Sequence, residues 1–177
     1  KEALNLYSNE IKTFREQKYE KALSELRKSA ETKRSPGSYI DLGMFYGLNG
    51  EYGKAIQWIK KGIELKPTGS GYNGLGNIYM ITGKYRESLQ QYSAGLDIEG
   101  VSVDEKAKLL INLALLYDRK KETLDPKGDE LRKILKRIDS LPEFVREQYR
   151  ALYDSFMKSV SSRASEVDED LRNSVLW

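Results

Sequence analysis

YIDLGMFYGLNGEYGKAIQWIKKGIELKP, residues 39–67, decides the fold. Tyr39, Leu42, Gly43 and Tyr46 fall at i, i+3, i+4 and i+7, the spacing of one face of an α-helix. Asn49-Gly50 ends that helix, because both residues tolerate the left-handed backbone at which helices stop. Ala55, Ile56, Ile59 and Ile63 mark one face of a second helix, and Pro67, which has no N–H to donate, stops it. Neither helix buries its apolar stripe alone. Folded into a hairpin they bury part of it, and a stacked neighbour covers the rest.

The unit recurs on its C-terminal side. Tyr72, Leu75, Gly76 and Tyr79 repeat the first stripe after a step of about 33 residues, Gly83 ends it, and Tyr85 follows as Tyr52 does. Ser88, Leu89, Tyr92 and Gly95 then take the places of Ala55, Ile56, Ile59 and Gly62, and Gly100 stands where Pro67 stood. Residues 103–139 read as a divergent fourth unit. Leu110, Leu113, Ala114 and Tyr117 form its first stripe, an overlong RKKETLDPKGDE segment follows, and Asp125-Pro126 restarts a helix carrying Leu131, Ile134, Leu135 and Ile138. Glu130 holds the place of a small residue, so the array is expected to end or kink here. On the N-terminal side, residues 1–35 read as a first unit. Leu4, Tyr7, Ile11 and Phe14 make one stripe and Tyr19, Ala22, Leu23, Leu26 and Ala30 the next, with a turn expected near Gln17-Lys18, one residue tighter than in the second unit. Ser35-Pro36 suits a helix start.

Tyr39-x-x-Leu42-Gly43-x-x-Tyr46, then Ala55-x-x-x-Ile59, then Pro67, resembles the tetratricopeptide repeat pattern W-x2-L-G-x2-Y…A-x3-F…P. The departures are Tyr39 for the Trp and Ile59 for the Phe. The resemblance implies an all-α, right-handed solenoid of helix hairpins, three to four repeats in a single domain over residues 1–160. Its units are about 1–35, 36–69, 70–102 and 103–139, closed by a capping helix at 140–160. Ser140-x-x-Glu143, with Pro142 just inside, reads as that helix's capping box. Phe144, Val145, Tyr149, Leu152, Tyr153, Phe156 and Val160 form its apolar face, which either covers the last repeat or folds back into the concave groove. Residues 161–177 read as an acidic tail or a short extra helix.

Composition narrows the function. Charged residues make up 32% of the 177, the formal net charge is +3, and mean hydropathy is −0.65. No apolar run approaches a membrane span, and the charge is too mild to argue for nucleic acid. The chain has no cysteine and no histidine, which removes disulfides, thiol nucleophiles and the commonest general base and metal ligand. No catalytic, metal or cofactor site is expected, and carboxylates are dispersed over helix surfaces. GSGYNG, Gly69 to Gly74, is a literal G-x-G-x-x-G. A dinucleotide fingerprint needs a strand before it, and here a helix precedes it, so the stretch reads as an inter-repeat turn. The absence of an initial Met leans towards a processed, extracytoplasmic chain, with the cytoplasm left open.

What the resemblance implies is a protein-interaction module, an adaptor or scaffold that takes a partner's peptide or helix in its concave groove. The groove is lined by the first helix of each unit, one residue round from the core stripe. That selects Ile40 and Met44, then Asn73, Asn77 and Met80, then Ile111, Leu115 and Arg119. Asparagine amides both donate to and accept from an extended backbone, and Met adapts to irregular apolar partners. The competing reading of Ile40, Met44, Ile111 and Leu115 is burial under the C-terminal helix. Tetratricopeptide domains that hold the acidic C-terminus of heat-shock chaperones share a Lys, Asn and Arg clamp. Ile40, Asp41, Met44, Asn73 and Gly74 leave it incomplete here, so chaperone-tail binding is not expected. Two alternatives stay open: self-association in a homo-oligomer, and binding of nucleic acid or another anion by the basic stretch from Arg119 to Arg137.

Overall fold

A computed structural model describes residues 2–125, 127–148 and 150. All regular structure among them is helical: α1 (Glu2–Lys33), α2 (Pro36–Leu48), α3 (Tyr52–Leu65), α4 (Gly69–Ile81), α5 (Tyr85–Leu96), α6 (Val103–Arg119), α7 (Lys121–Leu124), α8 (Asp129–Asp139) and α9 (Glu143–Gln148). This is the all-α helix-hairpin class expected from the repeats. The chain divides into two compact units, Lys1–Pro67 and Thr68–Trp177.

In the first unit α2 and α3 form the hairpin of the opening stretch. Ser35 is the N-cap of α2, its hydroxyl accepting from the Ser38 N–H, with Pro36 in the first turn. Gly50 makes the turn at φ 79°. A side chain at Gly43 would meet Ile59 Cγ1 at 2.6 Å and the Ala55 carbonyl oxygen at 2.9 Å, so glycine is what lets the helices close. Lys66 is extended, as a residue before proline prefers, and α3 ends at Leu65. α1 packs on α2 through Tyr19 stacked on Phe45, ring centroids 5.2 Å apart, and through Arg27, which donates to the buried Tyr46 hydroxyl at 2.7 Å.

One expectation fails here. Residues 2–33 are a single helix, with no turn at Gln17-Lys18. The turns of the next two hairpins each use a glycine at positive φ, Gly50 and Gly83. The Gln17-Lys18 stretch has no glycine and one residue fewer, so the helix runs on.

The second unit packs α5 on α4, α6 on both, and α8 and α9 on α6. Its core holds Tyr92, Leu109, Leu110, Leu113, Ala114, Leu116, Tyr117, Leu131, Ile134, Leu135, Ile138, Leu141 and Val145. The long segment after α6 is taken up by the short α7 and a turn. α8 then starts at Asp129, behind Gly128 at φ 72°, three residues later than Pro126 suggested. The buried Asp125 carboxylate accepts from the Leu131 N–H at 2.8 Å and ties that start down. The expected box at Ser140-x-x-Glu143 is replaced by a different arrangement: the Ser140 hydroxyl donates back to the Arg137 carbonyl, closing α8. The capping box that does form in this unit is Ser102-x-x-Glu105, at the start of α6. Gly69, Gly71 and Gly74 lie inside α4 rather than in a turn. Tyr149, the apolar residues assigned beyond 150, and the tail 161–177 lie outside the described residues.

Candidate interaction surface

The surface is built in the second unit, from the hairpin outward. Gly76 has no side chain, and the Tyr92 ring fills the space against it, fully buried. The Ser88 hydroxyl donates to the Gly76 carbonyl at 2.8 Å and clamps α5 on α4. Gly69 plays the same part toward α6, since a side chain there would meet Val101 Cγ2 at 2.8 Å and Glu105 Cβ at 2.9 Å.

Glu105 joins the starts of two helices. One carboxylate oxygen accepts from the N–H and hydroxyl of Ser102 at 3.3 and 2.9 Å. The other accepts from the N–H and hydroxyl of Ser70 at 2.9 and 3.0 Å. Burial pushes this carboxyl up, but the hydrogen bonds from Ser70 and Ser102 outweigh it and leave the pKa below the ordinary glutamate value. With Thr68 capping the Gly71 N–H, the two amides most available to an anion at G-x-G-x-x-G have partners inside the chain. Neither amide is therefore free to bind a dinucleotide phosphate.

Clamped side by side, α4 and α6 bring three asparagines together. The Asn112 Nδ2 donates to Asn73 Oδ1 at 2.8 Å and to Asn77 Oδ1 at 3.2 Å. The Tyr92 hydroxyl donates to Asn77 Oδ1 at 2.6 Å. Burial raises the Tyr92 phenol to about 12, against smaller opposing effects of Ser88 and Arg119, so it stays a donor through the neutral range. An amide has two N–H donors and one carbonyl with two lone pairs. Asn112 has therefore spent both donors, and Asn77 both lone pairs. What remains for a ligand is the Asn73 and Asn77 amino groups and the Asn112 carbonyl. No described buried side-chain nitrogen or oxygen lacks a partner, so these free atoms reach solvent.

Six residues expected in the groove lie on these two helices, and five of them are not buried. Asn73, Asn77 and Met80 are half-buried on α4; Leu115 is half-buried and Arg119 exposed on α6. Ile81 adds exposed apolar surface at the end of α4. Ile111 is buried in the core cluster, and Ile40 is buried where α2 meets α3, beside Gly62. Both are packing residues, and neither presents a side chain to a partner. Met44 is half-buried on α2, in the first unit. Sequence reasoning missed Asn112 and Tyr92. Asn112 lies one residue past Ile111, so the residue facing Asn73 and Asn77 is displaced by one from the counted position. Tyr92 was read only as core, which its ring is.

Elsewhere on this unit, Arg132 pairs with Asp129 and Lys133 with Glu130, which blunts the basic stretch. Among the described residues no group of three or more Asp and Glu is placed to hold a metal ion, and no described helix is long and apolar enough to cross a membrane. The family model described as tetratricopeptide repeat matches residues 36–68, the span of α2 and α3. No curated protein matches the chain.

Proposed function

With residues 36–68 a tetratricopeptide repeat, a motif that serves protein–protein interaction and scaffolding and is typically not enzymatic, we propose that the α4–α6 face of the second unit binds an extended peptide segment of a protein partner. The observation that carries this is the oriented asparagine trio. Asparagine amides both donate to and accept from an extended backbone, and three of them are gathered here by hydrogen bonds across α4 and α6. The trio is held in that orientation by its own hydrogen bonds and by Tyr92, so little rotamer freedom is lost on binding. Met80 and Leu115 supply adaptable apolar contact beside it, and Arg119 a cation at one end.

The test is selection of peptides from a random display library on the full chain, followed by NMR of the side-chain amides. The expected result is shifts of the Asn73, Asn77 and Asn112 amide signals on titration. Selected peptides that bind while leaving all three signals unmoved would refute the assignment.

A further inference from the structure

The second helix of each hairpin carries a seat for the first. In α3 the seat is Ala55, Ile59 and Gly62, and in α5 it is Ser88, Tyr92 and Gly95; all six are buried. The same places in α1 are Ala22, Leu26 and Ser29, which lie about 33 residues earlier on one helical face. These three are only half-buried, while Leu23 and Ala30, on the face that Tyr19 and Arg27 turn to α2, are buried. Among the described residues, no first helix is packed on the α1 seat.

The sequence holds a candidate occupant, because Leu4, Tyr7, Ile11 and Phe14 have first-helix spacing. It lies on the same continuous helix and has not folded back. Two features oppose folding back. The turn at Gln17-Lys18 has no glycine and is a residue short. Ile11 also stands where the second hairpin needs Gly43 for close approach. α1 is about 48 Å long and α2 about 20 Å, from their 32 and 13 residues, so α2 is too short to flank the whole of α1.

We infer that α1 is a dimerisation helix: residues 4–14 of one copy occupy the Ala22, Leu26 and Ser29 seat of a second copy, and the reverse. Antiparallel pairing about a two-fold axis beside Lys18 sets Phe14, Ile11 and Tyr7 opposite Ala22, Leu26 and Ser29 of the second copy. Both seats then fill at once, as an isologous exchange requires. Two straight helices also pack at ordinary separation, so Ile11 needs no glycine-close contact there.

The experiment is sedimentation equilibrium of the full chain with two variants. Leu26→Glu puts a charge in the seat. Ser29→Arg blocks the seat without removing a buried apolar atom, and it decides alone if Leu26→Glu loses helicity. The expected result is a concentration-dependent species of twice the 20.3 kDa chain mass, with a dissociation constant raised at least tenfold in Ser29→Arg at unchanged helicity. A wild-type chain that stays monomeric at high micromolar concentration overturns the inference. So does a dimer as tight in Ser29→Arg as in the wild type.

Discussion

Replacing Gly76 by alanine tests how the second unit holds its asparagines. The new Cβ would lie 2.5 Å from Tyr92 Cδ1 and 2.9 Å from Cζ, where carbon atoms rest at about 3.5–4.0 Å. The ring must retreat by about 1 Å. It is fully buried, and its hydroxyl is tied to Asn77 at 2.6 Å, so retreat strains the core and breaks that bond. Overpacking of this kind costs about 1–3 kcal/mol and the lost hydrogen bond about 1 kcal/mol. Better helix propensity of alanine returns about 1 kcal/mol. The expected net loss is about 2 kcal/mol, a fall in Tm of roughly 4–8 °C for a chain of this size. Thermal melting followed by far-UV circular dichroism reads it. Gly53→Ala is the control, with no atom within 4 Å of the new Cβ and an expected change between zero and a gain of about 1 kcal/mol. A Gly76→Ala protein as stable as the wild type would refute the close α4–α5 contact on which the surface is built.

Glu105 should give the second unit a pH-dependent increment. Its pKa is depressed in the fold, so the increment is complete above the unfolded value of about 4.3 and is lost as pH falls through the lower folded value. Urea melts of Glu105→Gln and wild type should therefore differ at neutral pH and converge in acid; a gap independent of pH contradicts the charged clamp. Asp125→Ala leaves the buried Leu131 N–H without its acceptor and should lose about 1.5–3 kcal/mol in urea unfolding. A change under 0.5 kcal/mol, below the range for such a bond, would mean that Asp125 does not anchor α8.

The hairpin of α2 and α3 was legible because local signals agreed: Ser35-Pro36 at the start, Asn49-Gly50 at the turn and a stripe of helical period on each arm. Where one signal stood alone, the reading slipped. The stripes of residues 1–30 do predict two helical faces, but period says nothing about a break, and no glycine supplies one. GSGYNG looks like a turn by propensity, yet Val101 and Glu105 approach so closely that glycine is needed at Gly69, the first residue of a helix. Ser140-x-x-Glu143 and Ser102-x-x-Glu105 are the same pattern. The second caps a helix because its chain enters from a loop, whereas at Ser140 α8 is still closing. Asn73 and Asn77 were readable from their place beside the core stripe. Asn112 was not, because which residue of α6 faces α4 depends on how the helices rotate against each other, a tertiary property. Ile40 and Ile111 went the other way: one residue round from the stripe is still inside the core when a helix is covered on two sides.

The most direct measurement is the affinity of one library-selected peptide for the wild type, Asn112→Ala and the double variant Asn73→Ala/Asn77→Ala, by fluorescence anisotropy with melting curves alongside. Each lost hydrogen bond is worth about 0.5–1.5 kcal/mol. The double variant should therefore bind about tenfold more weakly or worse, and Asn112→Ala several-fold more weakly. Both should melt cooperatively at a lowered Tm, since the bonds they lose within the fold cost about 0.5–1.5 kcal/mol each, and affinity is read well below that Tm. Unaltered affinity in the double variant would contradict peptide capture by the α4–α6 face.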